Sequence, residues 1–178
     1  MPILIAAVVV VGCLCLLDLL LTFGVIRRLR EHTTMLATTR EALEPYVGLR
    51  AGEPPGPFST MTISGEEVAG PTGLRIVAFF SAWCSVCPEM VPPFVGYLRS
   101  HHIARGSVLA VVTGDNNEPP PYLDRLAEVA QVCLVQADGD VVEAFKVTGY
   151  PAFCLLDADG AVLSSGYDPT ALPEPVTV

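Results

Sequence analysis

The sequence predicts an α/β domain carried behind an N-terminal membrane span. Three observations lead there. Residues 76 to 80, Ile-Val-Ala-Phe-Phe, form an unbroken apolar run, the pattern of a strand buried on both faces. That run ends at Ser81-Ala82-Trp83, and Cys84-Ser85-Val86-Cys87 follows at once, opening a helical stretch from about Ser85 to Ser100. Residues 3 to 26 are apolar except for Asp18 and Thr22, a length that crosses a bilayer as a helix.

The span is read as a retained single-pass anchor. No basic segment opens the chain and no small-x-small pattern precedes Arg27, so a cleaved leader is not expected. Val10-Val11-Gly12-Cys13 imitates a lipoprotein box, but no positive charge precedes it and the apolar run continues beyond it. Cys13 and Cys15 are two apart, so on a helix they face different ways and act as small apolar filler. Asp18 is the costly residue. A carboxyl group at that depth is disfavoured by about 2.5–3.5 kcal/mol. It marks either a contact with a partner in the membrane or a protonated side chain facing lipid.

Arg27, Arg28 and Arg30 follow the span, with only the α-amino group before it. The positive-inside rule therefore places the rest of the chain in the cytoplasm. Residues 27 to 44 can continue as a helix, which Pro45 ends; 27–47 is thus a juxtamembrane helix and linker. Gly48 to Pro57, with Pro54, Pro55 and Pro57, leads into the globular domain at 48–167.

Within that domain, residues 58 to 69 suit a small hairpin. After the strand at 76–80, Pro88 falls in the first helical turn, where its missing N–H matters little. Pro92 and Pro93 lie deeper and predict a kink. A second buried strand is expected at 107–113, a loop at 116–121, and a short helix at 121–130. A strand at 132–136, a helix at 141–146 and a strand at 152–156 follow. Asp157-Ala158-Asp159-Gly160 is a hairpin turn, returning as a strand at 161–165. The tail 168–178 holds three prolines and cannot form a long helix.

Charge and cysteine usage exclude other classes. The net charge of −9 belongs to the part after residue 45, where 15 acidic residues face 6 basic ones. Such a domain repels phosphate backbones, so nucleic acid is not an expected partner. Six cysteines show neither the spacing of a disulfide scaffold nor that of a zinc array. His101 and His102 are adjacent rather than spaced as zinc-finger ligands, and read as solvated residues at a helix end. No metal and no cofactor is expected.

Two cysteines three apart at a helix start can close a short disulfide. Free N–H groups and the helix dipole favour a thiolate on the first sulfur. Cys84, on the exposed side, is the expected nucleophile. Cys87, one turn in, is the expected resolving thiol that releases the product. Cys133 and Cys154 lie in predicted strands and read as buried free thiols rather than a second redox pair.

Strand, Trp83-Cys84-x-x-Cys87 and helix, with Pro92 five residues past Cys87 and Gly149-Tyr150-Pro151-Ala152-Phe153 before the last apolar run, resemble the thioredoxin superfamily. The N-terminal anchor and the insert before residue 138 resemble its membrane-anchored TlpA-like and MauD-like members. The resemblance implies a central mixed sheet flanked by helices. It implies thiol–disulfide exchange with protein clients, using a redox-active Cys84–Cys87 disulfide. Trp83, Tyr150 and a cis Pro151 are the implied client-binding residues. It also implies an integral-membrane electron-transfer partner, for which Asp18 is the candidate contact. Most anchored relatives work outside the membrane, against the arginine bias, and the reading leans narrowly to the extracytoplasmic side. Three departures stand out. Ala78 occupies the place of a buried aspartate that assists proton transfer, leaving Glu89, expected to face solvent, as a weak substitute. Ser85-Val86 matches neither the reducing nor the strongly oxidising dipeptides, so the direction of exchange stays open. The family's closing helix is missing, which leaves that face bare or covered by a partner or by the juxtamembrane helix. A module of the same fold without turnover, for assembly or metal delivery, is the alternative function.

Overall fold

A computed structural model describes Gly12, residues 47–115 and residues 119–174. The expected anchor at 3–26, with Asp18, and the juxtamembrane stretch up to residue 46 lie outside the described residues apart from Gly12. Among the described residues no helix is long and apolar enough to cross a membrane.

The centre of the domain is β3 (Ile76–Ser81), all six of whose residues are buried. Alternate side chains of a strand leave on opposite faces. Ile76, Ala78 and Phe80 therefore join one apolar cluster, while Val77 and Phe79 join the other. This two-sided burial is what an all-apolar strand sequence requires. On one side β3 pairs in parallel with β4 (Val108–Thr113), Ile76 opposite Val108 and Ser81 opposite Thr113. On the other it pairs antiparallel with β6 (Ala152–Leu156), Ile76 opposite Leu155. With β5 (Gln131–Val135) and β7 (Val162–Gly166) the mixed sheet runs β5-β4-β3-β6-β7. A separate hairpin, β1 (Phe58–Met61) and β2 (Glu67–Gly70), precedes it.

Helix α1 (Cys87–Ser100) covers the first face. Five of its buried residues, Cys87, Val91, Phe94, Val95 and Leu98, recur at helical spacing and form one stripe, with Tyr97 buried beside it. Phe153 sits between Phe80 and Phe94, at ring distances of 5.7 and 5.3 Å. α2 (Leu123–Ala127) adds Leu126 to this face. It is shorter than the predicted 121–130. Pro119 to Pro121 precede it, and Val129 and Ala130 only turn back onto the Leu126 carbonyl. On the opposite face α3 (Asp140–Ala144) supplies Val141 and Val142, joined by Phe145 and Phe58.

Part of each sheet edge is occupied, which suppresses strand addition at those points. Gly52 N–H donates to the Val162 carbonyl (2.8 Å) and Val162 N–H to that of Glu53 (3.0 Å), beside β7. Ile63 N–H donates to the Val132 carbonyl (2.8 Å), beside β5. At the β6–β7 turn the Asp157 carboxylate accepts from the Asp159 and Ala161 amides at 2.9 and 2.8 Å. Gly160 takes φ +86°, a conformation glycine adopts without penalty.

After β7 the described chain forms only a single 3₁₀ turn, Pro169–Ala171, capped by Asp168 accepting from Thr170 N–H at 2.8 Å. The α1 face is nevertheless not bare. Leu172 is buried in the α1 cluster, and Tyr97 Oη–H donates to the Pro173 carbonyl at 2.7 Å. The tail itself covers part of the face where a closing helix was missing, an outcome the sequence reading did not include.

Candidate functional site

The site forms where β3 ends and α1 begins. β3 delivers Ser81 at its last position, the five-residue connection 82–86 carries Trp83 and Cys84, and Cys87 is the first residue of α1. This connection is anchored to the end of β4 and to the end of β3 itself. Ala82 N–H donates to the Thr113 carbonyl at 2.8 Å, and Cys84 N–H to that of Ser81 at 3.1 Å.

The two cysteines are free thiols in unlike surroundings. Cys84 is half-buried, at the rim, and Cys87 is fully buried beneath it. Cys87 N–H donates to Cys84 Sγ at 3.1 Å. Cys84 Sγ–H in turn faces the Tyr150 carbonyl at 3.6 Å. The Ser81 amide donates to Cys87 Sγ at 3.5 Å. Burial pushes the Cys87 thiol up to about 12, the hydrogen bond with Cys84 adds to this, and the Ser81 amide pulls the other way. Cys87 is thus held neutral until it is needed, while the sulfur facing solvent belongs to Cys84.

The Tyr150–Pro151 peptide bond is cis, as is Gly70–Pro71. The loop it belongs to brings the Tyr150 carbonyl to the Cys84 sulfur. The ring is half-buried and packs against both apolar clusters. Trp83 is 71% exposed, an open apolar surface beside Cys84 together with exposed Val86. The structure therefore brings Trp83, Cys84, Cys87, Tyr150 and Pro151 together. Asp18 lies outside the described residues.

Other expectations resolve on geometry. Ala78 is fully buried, opposite Ala110 and Phe153. Glu89 is exposed on the outer side of α1. Cys133 and Cys154 lie on β5 and β6, three strands apart in the sheet order. With strands spaced about 4.8 Å apart, that is about 14 Å, twice the reach of a disulfide. Burial raises them to about 11 and about 12; they are inert core thiols. His101 is not simply solvated: its ring stacks on Tyr97 at 4.3 Å and its Nδ1 lies 2.9 Å from the Tyr97 carbonyl. Among the described residues no cluster of three metal-binding side chains occurs.

One residue at the site was missed. Tyr122, buried just ahead of α2, donates its hydroxyl to the Ser81 carbonyl at 3.1 Å. Burial, then charge on Cys87 and Cys84, pushes its phenol upward, which places it within electrostatic reach of both sulfurs. A tyrosine after three prolines carries no sequence signal for this contact.

No family model and no curated protein matches the chain. Solved structures do. One is the thioredoxin domain of a thiol–disulfide oxidoreductase from Bacteroides vulgatus, with TM-score 0.55, 21% identity, and 66% of this chain and 88% of that chain covered. Another is a thiol:disulfide interchange protein from a Bacteroides species, with TM-score 0.54, 21% identity, and 66% and 81% covered. The fold is thioredoxin-like. A third likeness, to a secreted disulfide oxidoreductase of Mycobacterium tuberculosis, has TM-score 0.50 at 21% identity over 64% of this chain and 85% of that one. In this thioredoxin-like domain the dithiol occupies the end of the central strand, facing the loop before β6.

Proposed function

We propose that the chain is a membrane-tethered thiol–disulfide oxidoreductase that exchanges disulfides with protein cysteines through Cys84 and Cys87. The asymmetry of the two sulfurs supports this reading best. Cys84 Sγ is at the rim with an amide aimed at it, and Cys87 Sγ is sealed behind it. A structural disulfide or a metal site gains nothing from that difference.

Exchange then runs in two balanced steps. The Cys84 thiolate attacks one sulfur of a client disulfide; the Cys84–client bond forms and the other client sulfur leaves with the electron pair. Cys87 loses its proton to the client thiolate released in the first step and attacks Cys84 Sγ. The Cys84–Cys87 bond forms, and the second client thiolate leaves. Two electrons have passed to the client, whose second thiolate takes up a proton from water. In reverse, the same steps oxidise a client dithiol, and the reduction potential sets the direction. The amide of Cys87 supports the Cys84 sulfur, which carries the charge at the start of the first step. Trp83 and Val86 supply apolar contact, and the Tyr150 carbonyl is an acceptor for an extended client backbone.

Insulin reduction by the full chain in detergent tests this. Turnover that disappears in Cys84→Ser supports an enzyme. No turnover by the native chain in either direction leaves the assembly or metal-delivery module as the function.

The tether is the apolar run 3–26, with the domain on the extracytoplasmic side and Asp18 the contact for a membrane electron-transfer partner. Clients with persistent disulfides occur there, while Arg27, Arg28 and Arg30 argue for the other side. Reporters fused after Val178 decide. An active phosphatase with a dark fluorescent protein is expected, and the reverse pattern places the domain in the cytoplasm.

A further inference from the structure

Ser81 contacts Trp83 and both cysteines of the dithiol. Its amide donates to Cys87 Sγ at 3.5 Å. Its carbonyl accepts from Cys84 N–H at 3.1 Å, and its hydroxyl oxygen accepts from Trp83 N–H at 3.4 Å. A side chain from far along the chain also reaches this residue: Tyr122, 41 positions away, donates to the same carbonyl at 3.1 Å. The Tyr122 ring is held against Phe80 at 6.0 Å and is 8% exposed. Its hydroxyl therefore has a fixed approach. A second clamp acts one peptide earlier, where Thr113 Oγ1–H donates to the Phe80 carbonyl at 3.3 Å. That peptide carries the Ser81 amide, and linked hydrogen bonds polarise one another.

We propose that Tyr122 is a positioning residue for the dithiol: through the Ser81 carbonyl it fixes the Ser81 amide against Cys87 Sγ and so sets how strongly the reduced pair is held relative to the disulfide. The inference rests on Cys84 and Cys87 being the exchange pair. Charge on either sulfur disfavours the Tyr122 phenolate, so the phenol stays a donor while exchange proceeds. A thiol or thiolate accepts a hydrogen bond better than a disulfide sulfur. Loosening Ser81 therefore weakens the reduced state more than the oxidised one. Removing the hydroxyl leaves the Ser81 carbonyl still bonded to Cys84 N–H, so no buried acceptor is orphaned and the fold survives.

The test equilibrates the full chain, in detergent, with glutathione buffers and reads the Cys84–Cys87 disulfide by thiol labelling. Tyr122→Phe is expected to move the equilibrium toward the disulfide by about threefold to tenfold, the size of one lost hydrogen bond; tenfold corresponds to about 30 mV. Replacing Tyr122 by 3-fluorotyrosine, isosteric and a stronger donor, is expected to move it the other way, and this arm decides if the Phe variant does not fold. An unchanged equilibrium in both variants overturns the proposal. So does an equal loss of melting temperature in the oxidised and reduced forms, the mark of a purely structural tyrosine. The equilibrium is read without any client. A chain inactive on insulin with a shifted equilibrium overturns the exchange function alone, and an active chain with an unshifted one overturns the role of Tyr122 alone.

Discussion

The amide of Cys87 points at the sulfur of Cys84 from 3.1 Å, while the sulfur of Cys87 is sealed from solvent. One residue thus serves the reaction twice, with its backbone supporting the attacking sulfur and its side chain held in reserve. Reactivity at the site should follow this division.

Alkylation should separate the thiols. In the native full chain, iodoacetamide near neutral pH should label Cys84 well before Cys87, Cys133 or Cys154, as mapped by peptide mass. The last three are buried, and a thiol raised to about 11 is ionised at only about one part in a thousand at pH 8. Labelling of Cys133 or Cys154 ahead of Cys84 would reverse the assignment.

The same burial makes a prediction about alkaline stability. Cys133 and Cys154 are raised to about 11 and about 12, above their unfolded value. Between that value and the folded one, the folded chain holds protons that the unfolded chain releases, so stability falls as pH rises. It is fully present below about pH 8.5 and declines by at most about 1.4 kcal/mol per pH unit for each thiol. Urea unfolding of Cys133→Ala and Cys154→Ala should show a shallower decline between about pH 9 and 11 than the native chain. Parallel declines would mean that other groups govern alkaline unfolding.

The core can be ranked by truncation. Phe153→Ala removes the ring between Phe80 and Phe94 and should cost about 3–5 kcal/mol. Leu172→Ala in the tail should cost about 2 kcal/mol, because Leu172 is packed in the α1 cluster. A Leu172→Ala loss below about 0.5 kcal/mol, the range of ordinary surface changes, would show that the tail does not cover this face.

Part of this arrangement is written in the sequence itself. The central strand and its dithiol were legible because Ile76 to Phe80 is apolar at every position and two cysteines follow at once. The loop of Tyr150 and Pro151 was legible through its resemblance. The tail was read only halfway. Its prolines forbid a long helix, but no pattern says that Leu172 and Pro173 will dock on α1, since that depends on where β7 ends. Tyr122 was invisible for the same reason. Its contact with Ser81 spans 41 positions and exists only because β3 and β4 are paired.

The most direct test is to trap the first step. The full chain carrying Cys87→Ser retains the attacking thiol but cannot resolve, so incubation with an oxidised peptide should accumulate a mixed disulfide mapped to Cys84. The same treatment of Cys84→Ser should leave Cys87 unmodified, because its sulfur is buried. Accumulation on Cys84 in the first variant alone is the predicted result. No adduct at Cys84, or an equal adduct on Cys87 in the second variant, would contradict the division of labour between the two sulfurs.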